Sequence, residues 1–167
     1  FTGYRGQRLL EVGCGIGTDL LRFAKGDACV TGVDLSTQAI ELASKNFAVH
    51  EMPQTANLQV QNGEALSFED NTFDVVYAHG VLQYTADPHR MISECRRVLK
   101  PGGQAIFMVY NRFSWLQALS KAMAVDLEHA DAPVLRLFSI RQFRRMLSSF
   151  PEATIIPERF PVRSRLH

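Results

Sequence analysis

A short apolar run, Leu9-Leu10-Glu11-Val12, leads directly into Gly13-Cys14-Gly15-Ile16-Gly17 and then into a helix-compatible stretch, Thr18 to Lys25. Three glycines in five positions, after a strand and before a helix, require a tight turn at which main chain rather than side chain meets whatever lies above it. Arg8 to Val12 reads as a buried strand, Thr18 to Lys25 as a helix ended by Gly26, and Cys29 to Val33 as a second strand closing at Asp34. This is a βαβ unit, and a crossover of that kind returns the chain to the same end of a parallel sheet.

The alternation continues. Ser36 is placed to cap a helix carrying Ala39, Ile40, Ala43 and Phe47 on one face, and Leu58 to Gln61 reads as a third strand. Phe73 to Ala78 is a fourth. Asp87-Pro88 then opens a helix with an N-cap and a first-turn proline, its stripe formed by Met91, Ile92, Cys95, Val98 and Leu99. Lys100-Pro101-Gly102-Gly103 stops it, and Gln104 to Tyr110 is a fifth strand, apolar enough to be covered on both faces. Ser139 to Phe150 reads as a further helix and Ala153 to Ile156 as a last strand. The expected fold is α/β: a doubly wound, mostly parallel sheet with helices on both faces, in a single domain over residues 1–167.

Composition narrows the function classes. At 167 residues, 46% hydrophobic and 21% charged, the chain matches one globular domain with a real core. No apolar run approaches a membrane span and no basic-then-apolar leader is present, so membrane partners are not expected and a cytoplasmic location is. The three cysteines, Cys14, Cys29 and Cys95, lack paired spacing; they read as small buried hydrophobes, and no metal site is expected. Arg141, Arg144 and Arg145 interleave with Phe143, Met146 and Leu147 as the wet face of an amphipathic helix. No dense basic cluster with stacking aromatics accompanies them, so nucleic acid is not an expected partner.

The chemistry-bearing residues follow strands, where an open parallel sheet binds its ligands. The missing side chains of Gly13, Gly15 and Gly17 admit a ligand against backbone amides. Asp34 ends the second strand, where a carboxylate accepts both hydroxyls of a ribose. Glu64, in Asn62-Gly63-Glu64-Ala65, offers an acceptor to an exocyclic amine, and the Ala65 amide offers a donor to a ring nitrogen. Together they suit an adenosine ligand. The dinucleotide fingerprint GxGxxG needs glycine at position 18, which is Thr, and no phosphate-grasping Gly-Lys-Ser/Thr follows. A positively charged, phosphate-free adenosine compound fits the turn better.

With those residues in view, LLEVGCGIGTDL, GVDLS, NGEALSFEDNTFDVVYAHGVLQY and RRVLKPGG together resemble the class I S-adenosylmethionine-dependent methyltransferases of the small-molecule type, over about residues 8 to 110. The resemblance implies a Rossmann-like fold with strand order 3-2-1-4-5-7-6 and an antiparallel seventh strand. It implies S-adenosyl-L-methionine as cofactor, with Glu11, Gly13, Gly15 and Gly17 around its amino-acid part, Asp34 at the ribose, Glu64 with Ala65 at the adenine, and Leu35 and His79 among the other cofactor-binding residues. The family more often carries Asp where Glu64 stands. It also usually has a helical lid before the first strand, whereas here that strand begins at Arg8 and residue 1 is Phe. A fragment truncated at both ends and lacking its lid is the resulting expectation.

The resemblance implies methyl transfer to a small-molecule acceptor by in-line displacement, which requires alignment and a dry site more than a dedicated catalytic group. Where a general base assists, His79 is the first candidate, ahead of Tyr84 and Tyr110, because imidazole exchanges protons near neutrality. His79 equally suits a cofactor-pocket wall. Glu128, His129 and Asp131 lack metal-ligand spacing, and Trp115, with Phe113 and Leu116, suits either a substrate wall or packing. After the fourth strand, His79-Gly80-Val81-Leu82 lacks the Asp/Asn-Pro-Pro-aromatic motif of nucleobase-amine methylation. The alternatives are an NAD(P)-dependent oxidoreductase and a catalytically inactive S-adenosylmethionine-binding module.

Overall fold

Five parallel strands, β1 (Arg8–Val12), β2 (Cys29–Asp34), β3 (Ala56–Val60), β4 (Phe73–His79) and β5 (Leu99–Met108), form one sheet in the order β3-β2-β1-β4-β5. The computed structural model describes residues 2–52, 55–113 and 134–157. Its helices are α1 (Thr18–Lys25), α2 (Thr37–Val49), α3 (Pro88–Val98) and α4 (Ile140–Met146), with a 3-10 turn at Thr2–Tyr4. The doubly wound α/β expectation holds for these elements; no sixth or seventh strand occurs among the described residues.

Successive side chains of a strand point to opposite faces, and β1 divides the core accordingly. Leu9, with Val30 and Val75, packs on Leu20, Phe23 and Ala24 of α1 and Phe47 of α2. Leu10 and Val12, with Val76 and Ala78, pack on Met91, Ile92, Cys95 and Val98 of α3 and Phe143 of α4. The caps follow the sequence reading: the Ala39 N–H donates to Ser36 Oγ (3.2 Å), and the Arg90 N–H to Asp87 Oδ1 (3.0 Å), with Pro88 in the first turn. Gly26 closes α1, but the residue with positive φ is Asp27, at 63°.

Several boundaries differ from the sequence reading. The third strand starts at Ala56, because β2 pairs from Val30 opposite Ala56 through Asp34 opposite Val60. The fifth starts at Leu99 and ends at Met108, taking in the Lys100-Pro101-Gly102-Gly103 stop. Phe73 pairs with Leu99 and Val75 already with Gln104, so those residues are accommodated as an irregularity in the ladder. Lys100 Nζ anchors it on Asp74 Oδ1 (2.6 Å), and Gly103 fits where a Cβ would stand 2.8 Å from the Asp74 carbonyl. The last helix stops at Met146, after which Leu147–Phe150 turn ahead of Pro151. Ala153–Ile156 is not a strand, since β-branched residues make strands only where a sheet edge pairs with them. Cys14 and Cys95 are buried as expected, whereas Cys29, at the exposed start of β2, is not.

Candidate functional site

The strand order reverses at β1, which has β2 on one side and β4 on the other, and an open parallel sheet binds ligands beyond the carboxyl ends at such a point. The glycine turn lies there. Gly13, Gly15 and Gly17 have φ of 73°, 52° and 73°, a region that side-chain-bearing residues avoid. Their surroundings differ. A Cβ on Gly13 would come within 2.3 Å of Val81 Cγ2, and one on Gly17 within 3.2 Å of Ala43 Cβ, whereas one on Gly15 would meet nothing within 4 Å. Gly13 and Gly17 therefore let neighbouring elements close in, and Gly15 borders open space.

Beside this turn is a cavity of about 380 Å³ lined by Glu11, Gly13, Cys14, Thr18, Asp19, Arg22 and His79. Its floor is Glu11, only 5% exposed, whose Oε2 has no hydrogen-bond partner. Burial pushes the Glu11 carboxyl up to about 8, Asp19 and Asp34 raise it further, and the Leu20 N–H opposes them. Asp19 pairs with Arg22 Nη1 (3.0 Å) and accepts from Tyr77 Oη (3.1 Å), and burial and Asp19 hold the Tyr77 phenol well above its ordinary value. The His79 ring stacks on Tyr77 at 5.9 Å and 12°. A larger hollow of about 750 Å³, bounded by Arg8, Asp27, Cys29 and Asn57, lies at the amino ends of β1–β3, away from this constellation.

Asp34 joins the turn from β2. Its Oδ2 accepts from the Gly15 N–H and its Oδ1 from the Ser36 N–H, both at 2.9 Å, so one carboxylate fixes both the glycine turn and the entry to α2. Leu35, next in line, is 74% exposed. Glu64 follows β3, and its Oε1 accepts from Thr85 Oγ1 and from the Asp87 N–H (2.9 Å). These bonds, Thr85 first, hold its carboxyl below the usual range. The Ala65 N–H donates to the Asn62 carbonyl (2.9 Å) and closes a turn.

Among the sequence candidates, then, Glu11, Gly13 and His79 share one cavity, with Gly15 and Gly17 in the adjoining turn and Asp34 tied to it through Gly15. Glu64 and Ala65 stand apart, the former clamping the loop between β4 and α3. Trp115, Leu116, Glu128, His129 and Asp131 lie outside the described residues, and Phe113 is exposed. No metal-binding group of His, Cys, Asp or Glu, and no helix long and apolar enough to cross a membrane, occurs among the described residues. Sequence reasoning missed Thr18, Asp19 and Arg22, although Asp19 in the first turn of the helix after the glycines was a readable signal.

Residues 10–107 match the family model described as "Methyltransferase domain". A ubiquinone biosynthesis O-methyltransferase of Coxiella burnetii is 39% identical over 108 residues, 65% of this chain and 45% of that protein. The sterol 4-C-methyltransferase strm-1 of Caenorhabditis elegans is 36% identical over 102 residues, 61% of this chain and 30% of that one. This chain thus spans less than half the length of these curated relatives. A solved SAM-dependent methyltransferase from Methanosarcina mazei is 25% identical with a TM-score of 0.72, covering 88% of this chain and 81% of that one. With the glycine turn and its acid-lined cavity on the sheet order of that fold, the chain belongs to the methyltransferase-domain family, as a class I S-adenosylmethionine-dependent member.

Proposed function

We propose that this protein binds S-adenosyl-L-methionine beyond the carboxyl end of β1 and transfers its methyl group to a small-molecule acceptor. The observation that carries this reading is Glu11 Oε2, a buried oxygen without a partner on the floor of a cavity whose turn is held by Asp34. A buried carboxyl oxygen of that kind calls for a hydrogen-bond donor, and a cationic one best offsets its burial. The cofactor supplies an activated methyl on a sulfonium. Glu11 receives its ammonium, Gly15 leaves room beside it, Asp34 takes the ribose hydroxyls, and Leu35 offers an apolar face to the purine. Glu64 and Ala65 at the adenine edge belong to the same proposal, the Ala65 N–H turning from Asn62 to the ring.

His79, exposed at the cavity rim, serves first as a wall and, for an acceptor with an ionisable proton, as the base. Cytoplasmic residence is part of this reading, supported by Cys14, Cys29 and Cys95 all being free thiols, the state that a reducing compartment maintains. The oxidoreductase alternative requires a pyrophosphate at this turn, where Asp19 would repel it and Thr18 replaces the third glycine. Calorimetric titration with S-adenosylhomocysteine and NAD in parallel tests the choice: the former is expected to bind and NAD not. Binding of NAD alone overturns the assignment.

A further inference from the structure

The stretch after β5 and the segment that leads into α4 lie side by side at the carboxyl end of the sheet. The Phe138 N–H donates to the Tyr110 carbonyl (3.0 Å), the Arg112 N–H donates to the Phe138 carbonyl (2.9 Å), and Asn111 and Phe138 form a parallel bridge. The Phe113 N–H is held in turn by Asn111 Oδ1 (3.0 Å). Ser139 then opens α4 with a capping box, its Oγ accepting from the Gln142 N–H (3.2 Å). Phe143, and Leu147 just beyond the helix, are buried, so the exposed Arg141, Arg144 and Arg145, three and four residues apart, stand together on the outer face.

This surface carries an excess of one charge. Over residues 109–113 and 134–157 five arginines face a single acid, Glu152. Arg136 is engaged within the protein, its guanidinium reaching the carbonyls of Thr85 (3.3 Å) and Ala86 (2.8 Å). Arg112, Arg141, Arg144 and Arg145 take part in none of the ion pairs among the described residues. Apolar side chains accompany them: Phe113, next to Arg112, is 78% exposed, and Ile140, which opens the arginine-bearing helix, is 41% exposed, with Leu135 exposed just before it. Guanidinium groups beside exposed apolar side chains match a layer of anionic headgroups over acyl chains. Nucleic acid offers phosphate to the arginines but nothing to Leu135 and Ile140, which have no ring to stack on a base. The expectation of no membrane partner rests on the absence of a spanning run, whereas contact of this kind lies on a bilayer and needs none.

We propose that Arg112, Phe113 and the outer face of α4 form a docking surface for an anionic lipid bilayer, the arginines meeting the headgroups and Phe113, Leu135 and Ile140 entering the boundary beneath them. The surface begins at the sheet end that carries the glycine turn, and Arg136 ties it to the loop after β4. The test is flotation of the full chain with vesicles of phosphatidylcholine alone or with about one-third phosphatidylglycerol. The wild type is expected to float with the anionic vesicles only, and to be released as salt rises from about 0.1 M to about 1 M. Each arginine at such a surface changes binding about fivefold, so Arg141→Gln, Arg144→Gln and Arg145→Gln together weaken it about a hundredfold. Arg→Lys at the same three positions restores it, and Phe113→Ser weakens it about tenfold with every arginine in place. Tm and S-adenosylhomocysteine binding stay at wild-type values in each variant, which separates docking from folding and from the methyl-transfer reading. Where the triple variant does not fold, Arg144→Gln alone shows a loss of about fivefold. Equal flotation with both vesicles, full binding by the glutamine variants or an unchanged Phe113→Ser protein overturns the proposal. So does a uridine oligonucleotide that binds through the same arginines while vesicles are ignored.

Discussion

Glu11→Gln is expected to remove a pH dependence of stability that the wild type owes to one buried carboxyl. In the unfolded chain the Glu11 proton leaves near the ordinary carboxyl value of 4.5, whereas burial in the folded protein pushes it up to about 8. Between these values the folded state holds a proton that the unfolded state has lost, so stability falls as pH rises through the window and is level beyond it. The difference corresponds to about 5 kcal/mol, fully present below the lower value and lost above the upper one. Glutamine does not titrate, so urea unfolding of both proteins at about pH 5, 6, 7 and 8 should give stability curves that diverge steadily, the variant gaining on the wild type. A cation beside Oε2 favours the carboxylate, so S-adenosylhomocysteine binding to the wild type near pH 7 should release a proton and give a titration enthalpy that depends on the buffer. The variant should lack that dependence. Parallel stability curves for the two proteins would refute the reasoning.

Asp34→Ala loses the acceptor for the Gly15 and Ser36 N–H groups as well as the proposed ribose contact. S-adenosylhomocysteine affinity should fall by about 1.5–3 kcal/mol, and an unchanged dissociation constant counts against the contact. Arg97 donates to Glu94, Asp70 and the carbonyls of Leu66 and Phe68, tying the loop before β4 to α3. Arg97→Ala should cost about 2–3 kcal/mol in chemical denaturation, mostly through the two carbonyls, since the Asp70 arm is exposed. A loss under about 0.5 kcal/mol would mean that water replaces the network.

Legibility in the sequence followed the range of the interactions. The glycine turn, the caps at Ser36 and Asp87, and Asp34 at a strand end are local, and each residue type is the one its backbone geometry demands. The parallel direction of the five strands followed from crossovers, and their order from the family resemblance. What sequence reasoning did not reach depends on partners far along the chain: the Glu64 clamp on Thr85, the seat of Gly13 against Val81, and the long register irregularity opposite Asp74. Ala153–Ile156 has the composition of a strand but no paired edge, and composition does not report pairing. Nor does sequence report that Glu11, readable as part of a motif, is buried enough to change its protonation.

That burial bears on how the proposed reaction would turn over. Glu11, Asp19 and Asp34 cluster at the glycine turn, and the nearby cation, Arg22, is engaged by Asp19. Asp19 and Asp34 attract a ligand bearing a sulfonium, and Glu11, protonated near neutral pH in the empty cavity, joins them once a bound cation displaces its proton. Methyl transfer converts the sulfonium into a neutral thioether, and the attraction to that atom ends with the charge. On the proposed reading, the acids that draw the cofactor in thus hold the demethylated product more weakly, while the ammonium at Glu11 and the ribose at Asp34 keep contacts common to both. The part of binding that distinguishes cofactor from product then resides in charge around the turn. Val81, in the loop after β4, sits directly on Gly13, so the sheet end proposed to hold the cofactor also sets the position of that loop.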